Sequence, residues 1–235
     1  MAREIFFVAD DFGLDSNTNA AIIYAHQKGA LQGAALMMGQ PGTKEAISLA
    51  LANPSLQIGF HLHLNDSIPL TQSQWPWEKS PTKAGFAIGF SSTARQLVRQ
   101  EIQQQWNAFQ ATGLSCAFVN AHHHLHTHPF VYSLLLKTIR PNFRGWVRLG
   151  NIRNFETTSF SSAIINFIFK IYRKWCPFPT SQTLWGIDRT FRMSSREIIP
   201  ILSQLPDGIH EFIFHPRKIS DDLDTTCLID LSSWV

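Results

Sequence analysis

Charge is scarce in this 235-residue chain: Asp, Glu, Lys and Arg make up 16% of it, against 44% hydrophobic residues. A net charge of +3 is too small to point to a nucleic-acid partner. Cysteine is scarce too. Cys116, Cys176 and Cys227 are odd in number and widely spaced, which argues against a disulfide framework and against a thiolate metal centre. There is no Gly-rich dinucleotide fingerprint, P-loop or G-x-S-x-G elbow, so neither nucleotide cofactors nor a serine nucleophile are indicated. No apolar run approaches the roughly 20 residues that cross a bilayer, and with charged residues alternating with the first strand a secretory leader is not expected. A cytoplasmic location is the expectation.

What the chain does have is a carboxylate pair at the end of its first apolar run. Ile5-Phe6-Phe7-Val8 has the β-branched and aromatic character of a buried strand, and Ala9-Asp10-Asp11-Phe12-Gly13 follows it. Two adjacent carboxylates in a partly desolvated strand mouth repel, and a proton or a cation must relieve them. The plainer alternative is a turn in which these side chains cap the next helix.

Further along, helices are expected near 16–29, 43–52, 93–111, 129–139, 159–175 and 195–205. Strands are expected at 34–38, 56–64, 116–120, 145–149 and 211–214. Period-2 alternation in the 56–64 strand puts His61 and His63 on one face. The stretch Asn65–Ser92, rich in Pro and Trp, is expected to be irregular and to shape a site. Six strands alternating with helices predict an α/β fold, an irregular and incomplete parallel βα-barrel of the TIM type, in a single domain over 1–235. A doubly wound open sheet is the alternative.

Strand ends converge on one face of a parallel barrel, and the chemistry-bearing residues fall there: Asp10 and Asp11, His61 and His63, His122, His124 and His126, and His215. Two imidazoles and a carboxylate with an open position make a hydrolytic metal site. The second carboxylate is then free to act as a general base, and a histidine across the pocket to protonate a leaving group. Each element also has a plain reading as a hydrogen-bonded loop residue. A phosphoester hydrolase is disfavoured, because such sites commonly use two metals.

The motifs Ala9-Asp10-Asp11-Phe12-Gly13-Leu14, Gly59-Phe60-His61-Leu62, His122-His123-His124-Leu125-His126 and Phe214-His215-Pro216 resemble, in order and spacing, those of the YdjC-like carbohydrate deacetylases. Val119-Asn120-Ala121-His122, Trp185-Gly186-Ile187 and Leu205-Pro206-Asp207-Gly208 bring the likeness closest to the subgroup associated with hopanoid biosynthesis. In the general family Asp-Ser stands where this chain has Asn120-Ala121. The resemblance implies removal of an acetyl group from an N-acetylated amino sugar, here an N-acetylglucosaminyl lipid headgroup. It implies one divalent metal ion, zinc or magnesium, on Asp11, His61 and His122, with Asp10 as base and His215 as acid. The two-His, one-Asp set favours zinc over magnesium. Arg148 would orient Asp10 or meet a substrate oxygen, and His124 and His126 would contact the sugar.

Two departures from the family stand out. Arg217-Lys218 follow His215-Pro216 where small residues are usual, which would crowd or recharge the rim. The segment from about 221 is atypical, and a final barrel helix is expected to be missing or replaced. Alternatives are a non-catalytic sugar- or glycolipid-binding relic, and a deacetylase of soluble chitooligosaccharides. Between Lys137 and Lys174 eight Lys or Arg face one acid, Glu156, and residues 163–175 are nearly all apolar around a narrow polar stripe. That helix is expected either to be a buried helix of the barrel or to touch the inner face of an anionic membrane.

Overall fold

The fold grows outward on both sides of its first strand. In a computed structural model describing residues 3–156 and 160–234, the first half contains β1 (Arg3–Phe12), α1 (Ser16–Lys28), β2 (Gly33–Leu36), α2 (Thr43–Ala52), β3 (Gln57–Leu62), α3 (Pro81–Phe90), α4 (Ser92–Ala111) and β4 (Phe118–Ala121). A 3-10 turn (His122–Thr127) leads to α5 (Pro129–Ile139), β5 (Trp146–Val147), β6 (Asn151–Arg153), α6 (Phe160–Trp175), β7 (Thr183–Trp185), α7 (Ser195–Leu202), β8 (Gly208–Phe214) and α8 (Leu223–Asp230).

The eight strands form one sheet in the order β5-β4-β3-β2-β1-β8-β7-β6, and the pairings are all parallel. This is the order of a βα-barrel opened between β5 and β6. A parallel bridge from Val147 to Thr180 ties the β5 edge to the approach of β7. Apart from β5 and β6 at the opening, consecutive strands are neighbours, without the reversal of a doubly wound sheet, so the curled half-barrel is the expected α/β class.

Side chains alternate across the strands. On the outer face Phe7, Ala9, Leu36, Phe60 and Val119 belong to the large core under the helices. There Trp106 and Phe109 of α4 pack on Phe60 with ring centroids 5.3 and 5.6 Å away. A small second cluster of Val8, Ala35, Phe118 and Trp146 fills the other face. Phe118 stacks on Trp146 at 5.0 Å, and a Cβ at Gly59 would come within 2.2 Å of the Phe118 ring. Glycine at 59 is therefore what lets an aromatic ring plug the open barrel beneath the site.

Several elements differ from the sequence expectation. Eight strands form rather than six: β6 and β7, three residues each, are too short to carry a period-2 signal. The 65–92 stretch holds α3, whose start is capped by Ser80 accepting from the Lys83 N–H, with Pro81 in the first turn. β3 stops at Leu62, so His63 leaves the strand. The expected helix start at Ser159 lies outside the described residues. The segment after 220 forms α8, capped by Asp222, and the Leu228 carbonyl accepts from Ala30 N–H at 2.9 Å beyond α1. The cap of α1 is Asp15, which accepts from Thr18 N–H. The 10–11 pair is thus left free of any capping duty.

Candidate active site

Strict alternation would send Asp10 and Asp11 to opposite faces of β1. The β1–β2 register slips between Ala9 and Phe12, and Asp11 takes a left-handed backbone, φ 66°. Such an irregularity re-aims a side chain, and both carboxylates end up lining the same cavity of about 400 Å³. His122, His124 and His215 line it too.

Asp11, His61 and His122 each offer one donor atom within 4.8 Å of the others. Asp11 Oδ1 lies 3.2 Å from His61 Nε2 and 2.9 Å from His122 Nδ1. Both Asp11 Oδ1 and His61 Nε2 are buried without a hydrogen-bond partner. Two orphaned lone-pair atoms facing one another in a buried site match a divalent cation, and the nitrogen-and-oxygen set suits zinc or a similar metal. The tautomer agrees. Asn120 Nδ2 donates to Asp10 Oδ1 at 2.9 Å, so its Oδ1 accepts from His61 Nδ1–H at 2.6 Å, leaving Nε2 as the ligating atom. Burial opposes charge on Asp11, yet the imidazoles of His122 and His61 hold its carboxyl well below the usual range. The same carboxylates raise the pKa of His61 against its burial.

Asp10 is clamped from behind. Arg148 Nη1 donates to its Oδ2 at 2.6 Å and Nη2 to its Oδ1 at 2.9 Å, while Arg148 Nε donates to Glu211 Oε1 at 2.7 Å. Burial alone would raise the pKa of Asp10, but the guanidinium and the nearby His61 hold it far below the ordinary carboxylate range. Glu211, wholly buried and sharing that guanidinium, is pushed up to about 7 by its burial. His215 sits across the cavity with Nδ1 unpartnered. Its burial lowers its pKa despite the facing Asp11 and Asp10, and the edge-to-face ring of Phe191 lies 5.4 Å away.

The profile of the YdjC-like protein family matches residues 4–230. The chain belongs to this family. Among its YdjC-like relatives, a carbohydrate deacetylase of Vibrio parahaemolyticus is 31% identical over 147 residues, covering 57% of this chain and 54% of that protein. One from Brevibacillus brevis is 33% identical over 132 residues, covering 55% of this chain and 52% of the relative. The chain spans about half the length of the curated relatives it matches. The crystal structure of a proposed cellobiose-phosphate cleavage protein from Enterococcus faecalis V583 shares the fold, with a TM-score of 0.71 over 99% of this chain and 94% of that one at 17% identity.

Of the three residues expected at the substrate of this YdjC-like chain, His124 lines the cavity. His126 is absent from its lining, and Arg148, expected to orient Asp10 or meet a substrate oxygen, faces Asp10 rather than the cavity. Both are fully buried; Arg148 spends its guanidinium on Asp10 and Glu211, and His126 donates from Nε2 to the Arg148 carbonyl at 3.0 Å. His63 is turned away as well, donating from Nε2 to the Met38 carbonyl at 2.8 Å. Asn120 and Glu211 did not stand out as site residues in the sequence. An acid set directly against an apolar run, Glu211-Phe212-Ile213-Phe214, is the signal that could have found the second.

Proposed function

We propose that the chain is a metal-dependent hydrolase that removes the acetyl group from an N-acetylated amino sugar. The observation that carries this reading is the pair of orphaned buried atoms, Asp11 Oδ1 and His61 Nε2, beside a carboxylate that Arg148 keeps ionised. The family supports it, since its relatives include carbohydrate deacetylases. Asp11, His61 and His122 would hold the cation. When bound, it would polarise the amide carbonyl and make water a better nucleophile.

The remaining work falls to side chains. Asp10, held ionised and oriented by Arg148, accepts the proton of the attacking water. Burial favours neutral His215 at rest, so His215 acts as acid after receiving the released proton, which it passes to the departing nitrogen. A C–O bond forms and the C–N bond breaks, giving acetate and a free amine. Arg148, Asn120 and Glu211 hold Asp10 and His61 in place for this exchange.

The finer reading is a lipid-linked N-acetylglucosaminyl substrate, as in the hopanoid subgroup, with contact at an anionic membrane surface. Its support is α6, whose Ile164, Phe167, Ile171 and Trp175 are exposed at 46, 66, 42 and 79%, with Lys170 and Lys174 exposed beside them. The helix packs on the histidine turn: Phe169 stacks on His126 at 5.4 Å, and the Tyr172 hydroxyl donates to the Thr127 carbonyl at 2.9 Å. No helix among the described residues is long and apolar enough to cross a membrane, so the contact would be peripheral.

Acetate release from soluble chitooligosaccharides and from lipid-linked N-acetylglucosamine, with metals added back to stripped protein, tests the activity. Asp10→Asn should abolish release while bound metal stays, whereas His61→Ala should lose both. Binding without turnover by the metal-loaded wild type would instead identify a non-catalytic relic. Phe167→Glu should reduce co-sedimentation with anionic vesicles; equal sedimentation of the two proteins would remove the membrane contact.

A further inference from the structure

Arg217 stands at the rim of the cavity, and the local fold builds a seat for it. The N–H groups of Arg217 and Lys218 donate to Asp222 Oδ2 at 2.7 and 3.2 Å, while Asp222 Oδ1 accepts from Thr225 N–H at the head of α8. Two residues away, Asp224 Oδ2 accepts from His215 N–H at 2.6 Å. The turn after β8 is therefore pinned to α8 at both ends. The Arg217 guanidinium lies over the Phe191 ring, 5.2 Å from its centroid, and Nη1 reaches Thr18 Oγ1 at 3.4 Å. Nη2 donates to Asp11 Oδ2 at 2.6 Å.

This contact divides the Asp11 carboxylate. Oδ2 belongs to a charged donor, and Oδ1, without a hydrogen bond, faces His61 Nε2 and His122 Nδ1. A carboxylate can grip a cation with one oxygen or with both, and a guanidinium that occupies one oxygen removes the second option. A full positive charge there also drains negative charge from the ligand. The effect is opposite to that of a carboxylate behind a ligating histidine, which makes the ligand more basic.

We infer that Arg217 is a positioning residue which commits Asp11 to hold a divalent cation through Oδ1 alone. It weakens cation binding in exchange for a more electron-poor metal with room for water and substrate. The inference rests on the reading that Asp11, His61 and His122 form the cation site. Two effects compete when Arg217 is removed: the carboxylate loses an anchor, which loosens binding, and the cation loses a nearby like charge, which tightens it. The charge should dominate, because the anchor orders only one short side chain, whereas the guanidinium sits one carboxylate away from a divalent ion in a largely buried site.

Cobalt(II) titration of the full chain, followed by visible absorption, provides the test. The wild type should bind one equivalent with an intense d–d spectrum, and His61→Ala should not. Arg217→Met should bind cobalt roughly tenfold tighter, with weaker d–d absorption as the second carboxylate oxygen joins the ion. Arg217→Lys, which keeps a charged donor, should restore the wild-type spectrum. Unchanged affinity and spectrum in Arg217→Met, its thermal melting showing a folded protein, would overturn the role of Arg217 and leave the cation site standing. A wild type that binds no cobalt would overturn both.

Discussion

Replacing Arg148 by Met removes the cation shared by two buried carboxylates while keeping much of the side-chain volume. Arg148 and Glu211 are fully buried and Asp10 is 4% exposed, so water cannot take over the lost hydrogen bonds at 2.6, 2.9 and 2.7 Å. Stranding one partner of a buried ion pair costs about 3–5 kcal/mol. Glu211, already pushed up to about 7 with the guanidinium present, should become neutral and escape most of this penalty. The cost then falls chiefly on Asp10, whose burial would raise its pKa once Arg148 is gone. Urea denaturation at pH 7 should therefore show a loss of about 3–5 kcal/mol. The sign of the pH dependence follows. In the wild type a depressed Asp10 pKa contributes stability above the unfolded value of 3.8, which is lost as the pH falls below it. In Arg148→Met a raised pKa makes ionised Asp10 destabilising, so the deficit should grow from pH 5 to pH 8. Acetate release should fall by about 10²-fold or more, with its acid limb moved to higher pH, because the base is protonated more of the time. Arg148→Met/Glu211→Gln should recover part of the stability and little of the activity. A loss under about 1 kcal/mol, with an unchanged pH–rate profile, would refute the claim that Arg148 keeps Asp10 ionised.

Acidification should destabilise the protein even where no catalytic group titrates. Burial pushes His63 down to about 3 and His126 to about 4, so between those values and the unfolded 6.5 the unfolded chain binds more protons, and stability falls as pH drops from 6.5 toward 4. Glu211 acts oppositely, losing stability as pH rises from 4.5 to about 7. Asp224, pushed up to about 6 by its burial, acts in the same sense as Glu211, but the His63 and His126 shifts together exceed those of the two carboxyls, and each tenfold change in proton affinity is worth about 1.4 kcal/mol. His63→Gln should flatten the slope of melting temperature against pH across that window, and an unaltered slope would contradict the assignment. Gly59→Ala should cost about 1–3 kcal/mol in urea denaturation by driving a methyl into the Phe118 ring beneath His61; a neutral substitution would mean that the plug yields freely. Zinc at about 100 times its dissociation constant should stabilise the folded wild type by about 2.7 kcal/mol, and His122→Ala should lose that increment in a thermal-shift titration.

The sequence by itself placed Asp10, Asp11, His61, His122 and His215 at strand ends, because a short apolar run closed by polar residues marks a strand terminus in local composition alone. The helix Thr43–Ala52 was legible from the Asn53-Pro54 pair that ends it, as was the βα alternation that implies a parallel barrel. What the tertiary structure decided is which way those side chains face and what stands behind them. A slipped register and a left-handed Asp11 bring two consecutive carboxylates into one cavity against the period-2 rule, while the end of β3 at Leu62 sends His63 elsewhere. Arg148 meets Glu211 across 63 residues and Asp10 across 138, and Arg217 meets Asp11 across 206. Pairings that distant leave no periodic trace, because neither partner needs any particular neighbour in the chain; only the closure of the sheet, which sets buried charges face to face, selects them.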